Sequence, residues 1–346
     1  MNNERIKVLY IAGCGRSGST ILHNLLQQLS GFCAVGELRH VWDRGFIKNK
    51  LCGCGVPFGD CAFWQSTAHE AFGGMDQVDA AAMHQFIEGI RLHDLPKMLL
   101  PRRQEQWRSQ SGDCLRNIER LYRAIQSVSG CRVVVDSSKN PAYGYALTMV
   151  DTLDVKVLHL VRDSRAVAHS WSTQKLFEPL SSGTPEYMAR KHPIRGSLQW
   201  IARNMAATKF LRKRATQYQR LLYEHFVKDP AQYVRDILAF VGEGEVPVDF
   251  ISGTTVDMQR ANHSVFGNLV RFQTGTVSIR SDERWRRDMT KMNRIAVTAL
   301  TLPSLLRCGY FRRSGSPHRR PLAPARPETP SDTQAASRDT LQVKRP

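Results

Sequence analysis

The sequence predicts an α/β fold, a central parallel sheet flanked by helices, and three observations lead there. Short apolar, β-branched runs recur along the 346 residues, in IKVLYIAG from residue 6, in RVVVD at 132–136, in VKVLHLV at 155–161, and more weakly at 221–223. Helical patterning borders each run, and strands alternating with helices make βαβ units. The first run also passes straight into a glycine-rich turn shaped like a phosphate loop, and ligands of such sheets bind at the carboxyl ends of the strands.

That turn, GCGRSGST at residues 13–20, departs from the nucleoside-triphosphate pattern in one respect. G-x-x-x-x-G-K-[ST] aligns Gly13 with Gly18 and then requires lysine, to reach the β and γ phosphates; the chain has Ser19. Its one cation is Arg16, inside the turn, followed by Ser17, Gly18, Ser19 and Thr20 at the start of a helix. Inward-pointing N–H groups and a helix N-terminus still favour a phosphate. Equipment for a triphosphate is missing.

After the first helix, FCAVGELRHVW places Glu37 at a second strand end, with Glu37 able to pair with Arg39 or Arg44 at the surface. Next comes LCGCGVPFGDC, which crowds Cys52, Cys54 and Cys61 together. Three thiols at one turn hold zinc if a fourth ligand arrives from elsewhere, with Cys33, His40 and His69 as candidates. C-x-x-C spacing is absent, however, and a cytoplasmic chain keeps thiols reduced, so a local structural role is favoured over a metal site.

Residues 62–130 and 172–215 read mainly as helical insertions, positioned to cap a site. Between them, DSSKNP brings Asp136, Ser138 and Lys139 to the strand edge, where Asp136 can neutralise Lys139 or Arg16. In VKVLHLVRDSRAVAHSWS a strand ends at Arg162, Asp163 caps a helix, and Ser170 lies two turns in. Both can face one crevice; the plainer alternative is a structural ion pair of Arg162 with Asp163 or another carboxylate, and a surface serine. Further on, Tyr223-Glu224 precedes Asp229-Pro230, an N-cap followed by proline at the first helical position. From residue 314 the chain is rich in Pro, Ser and Arg, which predicts a disordered basic tail over 314–346 beyond one α/β domain at 1–313.

Composition bounds the partners. With 42% hydrophobic residues the chain can bury a sizeable core. No apolar run approaches the roughly 20 residues that span a bilayer, and the start reads as a strand, so the expected location is cytoplasmic. Lys and Arg number 49 against 31 Asp and Glu, a net charge of +18. Such a balance attracts nucleotides, nucleic acid or anionic lipid without choosing among them, and leaves room for peripheral membrane contact.

In combination, these segments resemble the sulfotransferases that use 3′-phosphoadenosine 5′-phosphosulfate (PAPS). The family's 5′-phosphosulfate loop, a basic residue, Ser or Thr, Gly and two hydroxyl residues, is matched by Arg16-Ser17-Gly18-Ser19-Thr20. Its 3′-phosphate motif is matched by Arg162 and Ser170, and its Tyr-Glu element by Tyr223-Glu224, with the tyrosine near the adenine. The chain is similar to bacterial members that carry Gly-Glu-Leu-Arg and Cys-Gly-Cys-Gly stretches, as at 36–39 and 52–55. The resemblance spans roughly residues 5–310 and implies a P-loop NTPase-like fold. PAPS would be the donor and 3′-phosphoadenosine 5′-phosphate (PAP) the product, with no metal expected in the transfer.

The resemblance further implies Glu37 as the general base, with His40 as runner-up, and Lys139 beside Arg16 at the transferring sulfonyl. Asn268 and Arg271, in HSVFGNLVRFQ, would stand in for a basic segment over the 3′-phosphate, with Trp285 as an adenine or packing residue. The acceptor would be a glycan, a lipid or a secondary metabolite. Two rival readings stay open: a P-loop kinase whose Asp136 organises Mg²⁺, and a nonenzymatic nucleic-acid-binding protein. The kinase leaves Arg162 and Ser170 without a reason. Nucleic-acid binding lacks interleaved aromatics or a recognisable module, so no specific nucleic acid is expected as a partner.

Overall fold

The computed structural model describes residues 5–176 and 186–311, so the predicted tail and part of the second insertion lie outside the described residues. Five parallel strands form the central sheet: β1 (Ile6–Gly13), β2 (Phe32–Gly36), β3 (Val133–Lys139), β4 (Leu153–Val161) and β5 (Gln217–Leu222). Their spatial order is β2-β3-β1-β4-β5. The chain therefore lays β2 and β3 on one side of β1 and then crosses to β4 and β5 on the other. The crevice at such a reversal is where an open α/β sheet binds ligands, and the glycine-rich turn leaves β1 there.

Both faces of the sheet are covered, which explains the unbroken apolar runs. Alternate residues point to opposite faces. Val8, Tyr10, Val134, Val155 and Val157 enter one core, shared with Trp64, Leu121, Tyr122 and Ile125 of the first insertion. Leu9, Ile11, Val133, Val135, Leu158 and Leu160 enter the other, packed on α1 (Ser19–Gln28) and on the helix Pro230–Val241. Each fully buried Leu, Ile or Val contributes about 1.5–3 kcal/mol relative to exposure.

The first insertion is helical as expected, with its longest helix at Gly112–Ser129 ended by Gly130 in the left-handed conformation. The second is helical over Pro193–Ala206 and onward to Arg214, but residues 186–192 carry no helix. Beyond the main sheet, three short antiparallel strands, β6 (Ile251–Ser252), β7 (Thr255–Met258) and β8 (Gly275–Ser278), form a second sheet that the apolar patterning did not announce. The long connection from β7 to β8, residues 259–274, runs as a strap back over α1. Asn24 Nδ2 donates to Val270 O at 2.7 Å and Gln27 Nε2 to Ala261 O at 3.0 Å.

Candidate active site

Every strand of the main sheet delivers one predicted residue at its carboxyl end. Read across the sheet these are Glu37 after β2, Lys139 at the end of β3, the Arg16 loop after β1, Arg162 after β4 and Tyr223 after β5. Parallel pairing sets the alignment, with Ala12 opposite Lys139 and Gly36 opposite Asp136.

The loop is held tightly. Gly18 has φ +89° and precedes α1, and a Cβ there would lie 2.2 Å from the Tyr223 ring, so only glycine lets the tyrosine pack beneath the turn. Ser17 and Ser19 are buried, and Thr20 partly so. Arg16 Nε and Ser17 Oγ are buried without a hydrogen-bond partner among the described residues. Buried polar atoms are rarely left so. Arg16 has φ 71° and Lys139 φ 61°. Left-handed backbone costs a non-glycine residue about 1–2 kcal/mol, and here it is adopted by two cations at adjacent strand ends.

The loop and the β4 end touch. Arg162 Nη1 donates to Arg16 O at 3.1 Å, its Nη2 donates to Asp282 O at 3.0 Å, and its guanidinium lies 4.8 Å over the Tyr223 ring. Arg162 does not pair with Asp163; the carboxylate it meets is that of Asp282, at 3.9 Å. Asp163 accepts from Arg165 N at 2.9 Å as the N-cap of the helix Ser164–Ser172 and grips the Arg165 guanidinium at 2.9 and 2.6 Å. Ser170 is buried on that helix, and its Oγ accepts from Lys175 Nζ at 3.0 Å. Burial lowers the Lys175 pKa to about 8, with the nearby charges of Arg16 and Arg162 acting in the same direction. Sequence reasoning missed Lys175, since nothing in a lone lysine after a helix distinguishes it from a surface residue.

Glu224 supports this half from below. Its carboxylate accepts from Asp163 N at 2.9 Å and from Tyr310 Oη at 2.7 Å, and burial raises its pKa.

On the other side of the loop, Glu37 Oε1 and Lys139 Nζ form a buried ion pair at 2.5 Å. Glu37 does not take the surface partners the sequence offered. Arg39 binds Glu88 at 2.8 Å and Arg44 binds Glu186 at 2.7 Å. His40 lies 3.9 Å from Glu37 and stacks on Phe266, and burial holds its pKa well below 6.5, which makes it a weak base. Asp136 neutralises neither Lys139 nor Arg16. It accepts from Tyr122 Oη at 2.6 Å, Ser138 N at 2.7 Å, Ser138 Oγ at 2.5 Å and Leu38 N at 3.4 Å, and burial raises its pKa to about 6. With its oxygens so engaged it is poorly placed to organise Mg²⁺, the role a kinase would need from it.

Asn268 and Arg271 sit on the strap. Asn268 caps the turn Leu269–Phe272, and Arg271, buried, donates from Nη1 to Gly267 O at 2.8 Å and lies over Phe272. The segment that reaches Arg162 is instead the one around Asp282. Trp285 packs under the guanidinium groups of Arg165 and Arg286, at 4.6 and 4.7 Å.

Residues 9–245 match the sulfotransferase family. Solved structures similar to the chain include two sulfotransferases. One is the sulfotransferase domain of the Synechococcus PCC 7002 olefin synthase, 16% identical over 87% of this chain and 97% of that one, with a TM-score of 0.46. The other is a sulfotransferase from Alicyclobacillus acidocaldarius, 17% identical over 86% and 92%, with a TM-score of 0.39. No curated protein matches the sequence. The family match is continuous over more than half the chain and takes in the Arg16 loop, Glu37, Lys139, Arg162, Ser170 and Tyr223: the chain belongs to the sulfotransferase family.

Proposed function

We propose that the protein transfers a sulfonyl group from PAPS to a hydroxyl, or an amine, of a glycan, lipid or secondary metabolite, and releases PAP. The observation that carries this reading is the 3.1 Å hydrogen bond from Arg162 Nη1 to Arg16 O, which joins the loop to the β4 end. A nucleotide with phosphates at both 5′ and 3′ positions fits that arrangement. A triphosphate would need a lysine the loop lacks.

In this reading Arg16, Ser17, Gly18, Ser19 and Thr20 hold the 5′-phosphosulfate, with the N-terminus of α1 adding its dipole. Arg162 and Ser170 hold the 3′-phosphate, with Lys175 as a third group, and Tyr223 lies along the adenosine. Asn268 and Arg271 border the nucleotide from the strap. Glu37 takes the acceptor's proton while the acceptor oxygen forms its bond to sulfur and the bond from sulfur to the bridging oxygen breaks. Lys139 and Arg16 stabilise the charge that grows on that oxygen. The two helical insertions line the acceptor side, within one domain over residues 1–313. No described helix is long and apolar enough to cross a membrane, which is compatible with an acceptor met in solution or at a surface.

Calorimetry with PAP, its 3′-dephospho analogue and ATP tests the proposal. PAP is expected to bind most tightly. Equal affinity for PAP and the dephospho analogue would remove the role given to Arg162 and Ser170, and tightest binding of ATP would favour a phosphotransferase.

A further inference from the structure

We propose that Cys52, Cys54, Cys61 and His263 hold a structural zinc ion that staples the strap between β7 and β8 to the segment following β2. The ligand atoms of all four lie within 4.8 Å of one another. Cys61 Sγ is 3.4 Å from His263 Nδ1, Cys52 Sγ is 3.7 Å from the same nitrogen, and Cys54 and Cys61 Sγ are 3.6 Å apart. A tetrahedral ion with Zn–S near 2.3 Å and Zn–N near 2.0–2.1 Å separates its ligand atoms by roughly 3.5–3.8 Å. Three of the six separations are already close to those of a coordination shell, and the rest lie within 4.8 Å.

The donor set points to the metal. Three thiolates and one imidazole in a tetrahedral arrangement suit zinc, and hard cations such as Mg²⁺ or Ca²⁺ would need oxygen ligands. Four protein ligands leave no open position, so the ion would hold structure and take no part in transfer. Cys52 and Cys61 are fully buried, and Cys54 and His263 are half-buried. Binding releases the three thiol protons to water and leaves a complex of net charge −1.

The surroundings hold each ligand in place. Gly55 N donates to Cys52 O at 2.9 Å and Cys52 N to Val56 O at 2.8 Å, closing the turn that carries the first two thiols. The His263 ring stacks on Phe63 with centroids 4.3 Å apart and planes 13° apart, and Trp64 Nε1 donates to His263 O at 2.9 Å. Gly53 N donates to Ser264 O at 2.8 Å, and a Cβ on Gly53 would lie 2.2 Å from Asn262 Oδ1. Only glycine allows the two segments to approach so closely.

The fourth ligand is none of those the sequence suggested. Cys33 lies within β2, His69 in the last turn of the helix Ala62–Phe72, and His40 against Phe266. His263 comes from some 200 residues downstream, which is why the cysteine spacing alone gave a weak signal. Its position also gives the staple a consequence. Phe266 on the same strap stacks on His40 at 4.0 Å, and Asn262 Nδ2 donates to Asn24 Oδ1 of α1 at 3.1 Å. The ion would fix the strap against both the phosphate-loop helix and the flank of Glu37.

Elemental analysis of the purified full chain tests this directly, and one zinc per chain is expected, released by an organomercurial that caps the thiols. Refilling the stripped chain with Co²⁺ should give the ligand-field bands of a tetrahedral thiolate site together with thiolate-to-cobalt charge transfer. Cys54→Ser and His263→Ala should each lower the metal content and the melting temperature. Should those variants fail to fold, metal removal from and return to the wild-type chain, followed by melting temperature, gives the same answer. A metal-free protein that takes up neither Zn²⁺ nor Co²⁺ would overturn the proposal. So would a Cys54–Cys61 disulfide found by mass spectrometry in protein purified without oxidant.

Discussion

The two halves of the sheet edge treat charge in opposite ways. On the β4–β5 side, Arg16, Arg162 and Lys175 gather around a nearby acid, Asp282, and burial lowers the Lys175 pKa with both arginines acting in the same direction. Gathered cations cost free energy unless something anionic joins them. On the β2–β3 side the charges are satisfied internally, Glu37 by Lys139 at 2.5 Å and Asp136 by four donors. In the proposed reading one half receives an anion and the other a neutral group with a proton to lose, which is the division of labour a sulfonyl transfer requires.

Breaking the neutral half should have the largest effect on turnover. Glu37→Gln keeps the side chain's shape and removes its basicity, so kcat should fall by about 10²–10⁴-fold while the Kd for PAP changes by no more than about twofold. Retained turnover would move the base elsewhere. Breaking the cationic half should do the reverse. Arg162→Ala should weaken PAP by about 1.5–3 kcal/mol, roughly 10–100-fold, and leave the 3′-dephospho analogue nearly unaffected. If both nucleotides weaken equally, Arg162 serves the fold and not the 3′-phosphate.

How much of this was legible in the sequence differs between the halves for a physical reason. The loop, the strand ends and the Asp163 cap announce themselves because backbone geometry demands particular residues at particular spacings. Gly18 before α1 and Asp163 before its helix are local facts, readable within a few residues. Partners chosen by tertiary contact are not. Glu37 could be placed at a strand end from its neighbours, yet its ion pair is with Lys139, 102 residues away, and not with Arg39 or Arg44. Likewise Asp136 is claimed by Tyr122 of the first insertion, and Arg162 by a carbonyl at Asp282. Lys175 lacks any local signature; burial beside two arginines creates its unusual titration. The second sheet, β6 to β8, escaped because short antiparallel strands carry little apolar patterning.

Lys175 offers a sharper test of the cationic half, with an effect of intermediate size. Its pKa in the ligand-free fold is about 8, against 10.5 for a free lysine. A phosphate bound beside it would raise that value, so above pH 8 binding must take up a proton. Affinity for PAP should therefore fall as pH rises through 8, by up to about tenfold per pH unit. Lys175→Met should weaken PAP by about fivefold at pH 7 and flatten that dependence. Stability runs the other way: between pH 8 and 10.5 the unfolded chain binds the extra proton, so the ligand-free fold gains from this group as pH rises. Affinity that is flat from pH 7 to 9.5 would place Lys175 outside the site.

The smallest effect on nucleotide binding belongs to Tyr122, which touches neither half directly but holds the neutral one in register. Its hydroxyl donates to Asp136 Oδ2 at 2.6 Å in a fully buried pair. Asp136 in turn fixes Ser138 next to Lys139, and Leu38 next to Glu37. Tyr122→Phe leaves a buried carboxylate oxygen short of a donor, at a cost of about 1–3 kcal/mol. The pH sign follows from burial: Asp136 holds its proton up to about pH 6 in the fold against 3.8 in a free chain, so this group's contribution falls as pH rises across that window. Losing the tyrosine donor pushes the folded value higher still and extends the fall to higher pH. Denaturant unfolding should therefore show a larger loss for Tyr122→Phe at pH 8 than at pH 5, with the Kd for PAP unchanged. A loss that is equal at both pH values would mean that the tyrosine acts by packing alone, and that the Glu37–Lys139 pair keeps its geometry without help from the buried carboxylate.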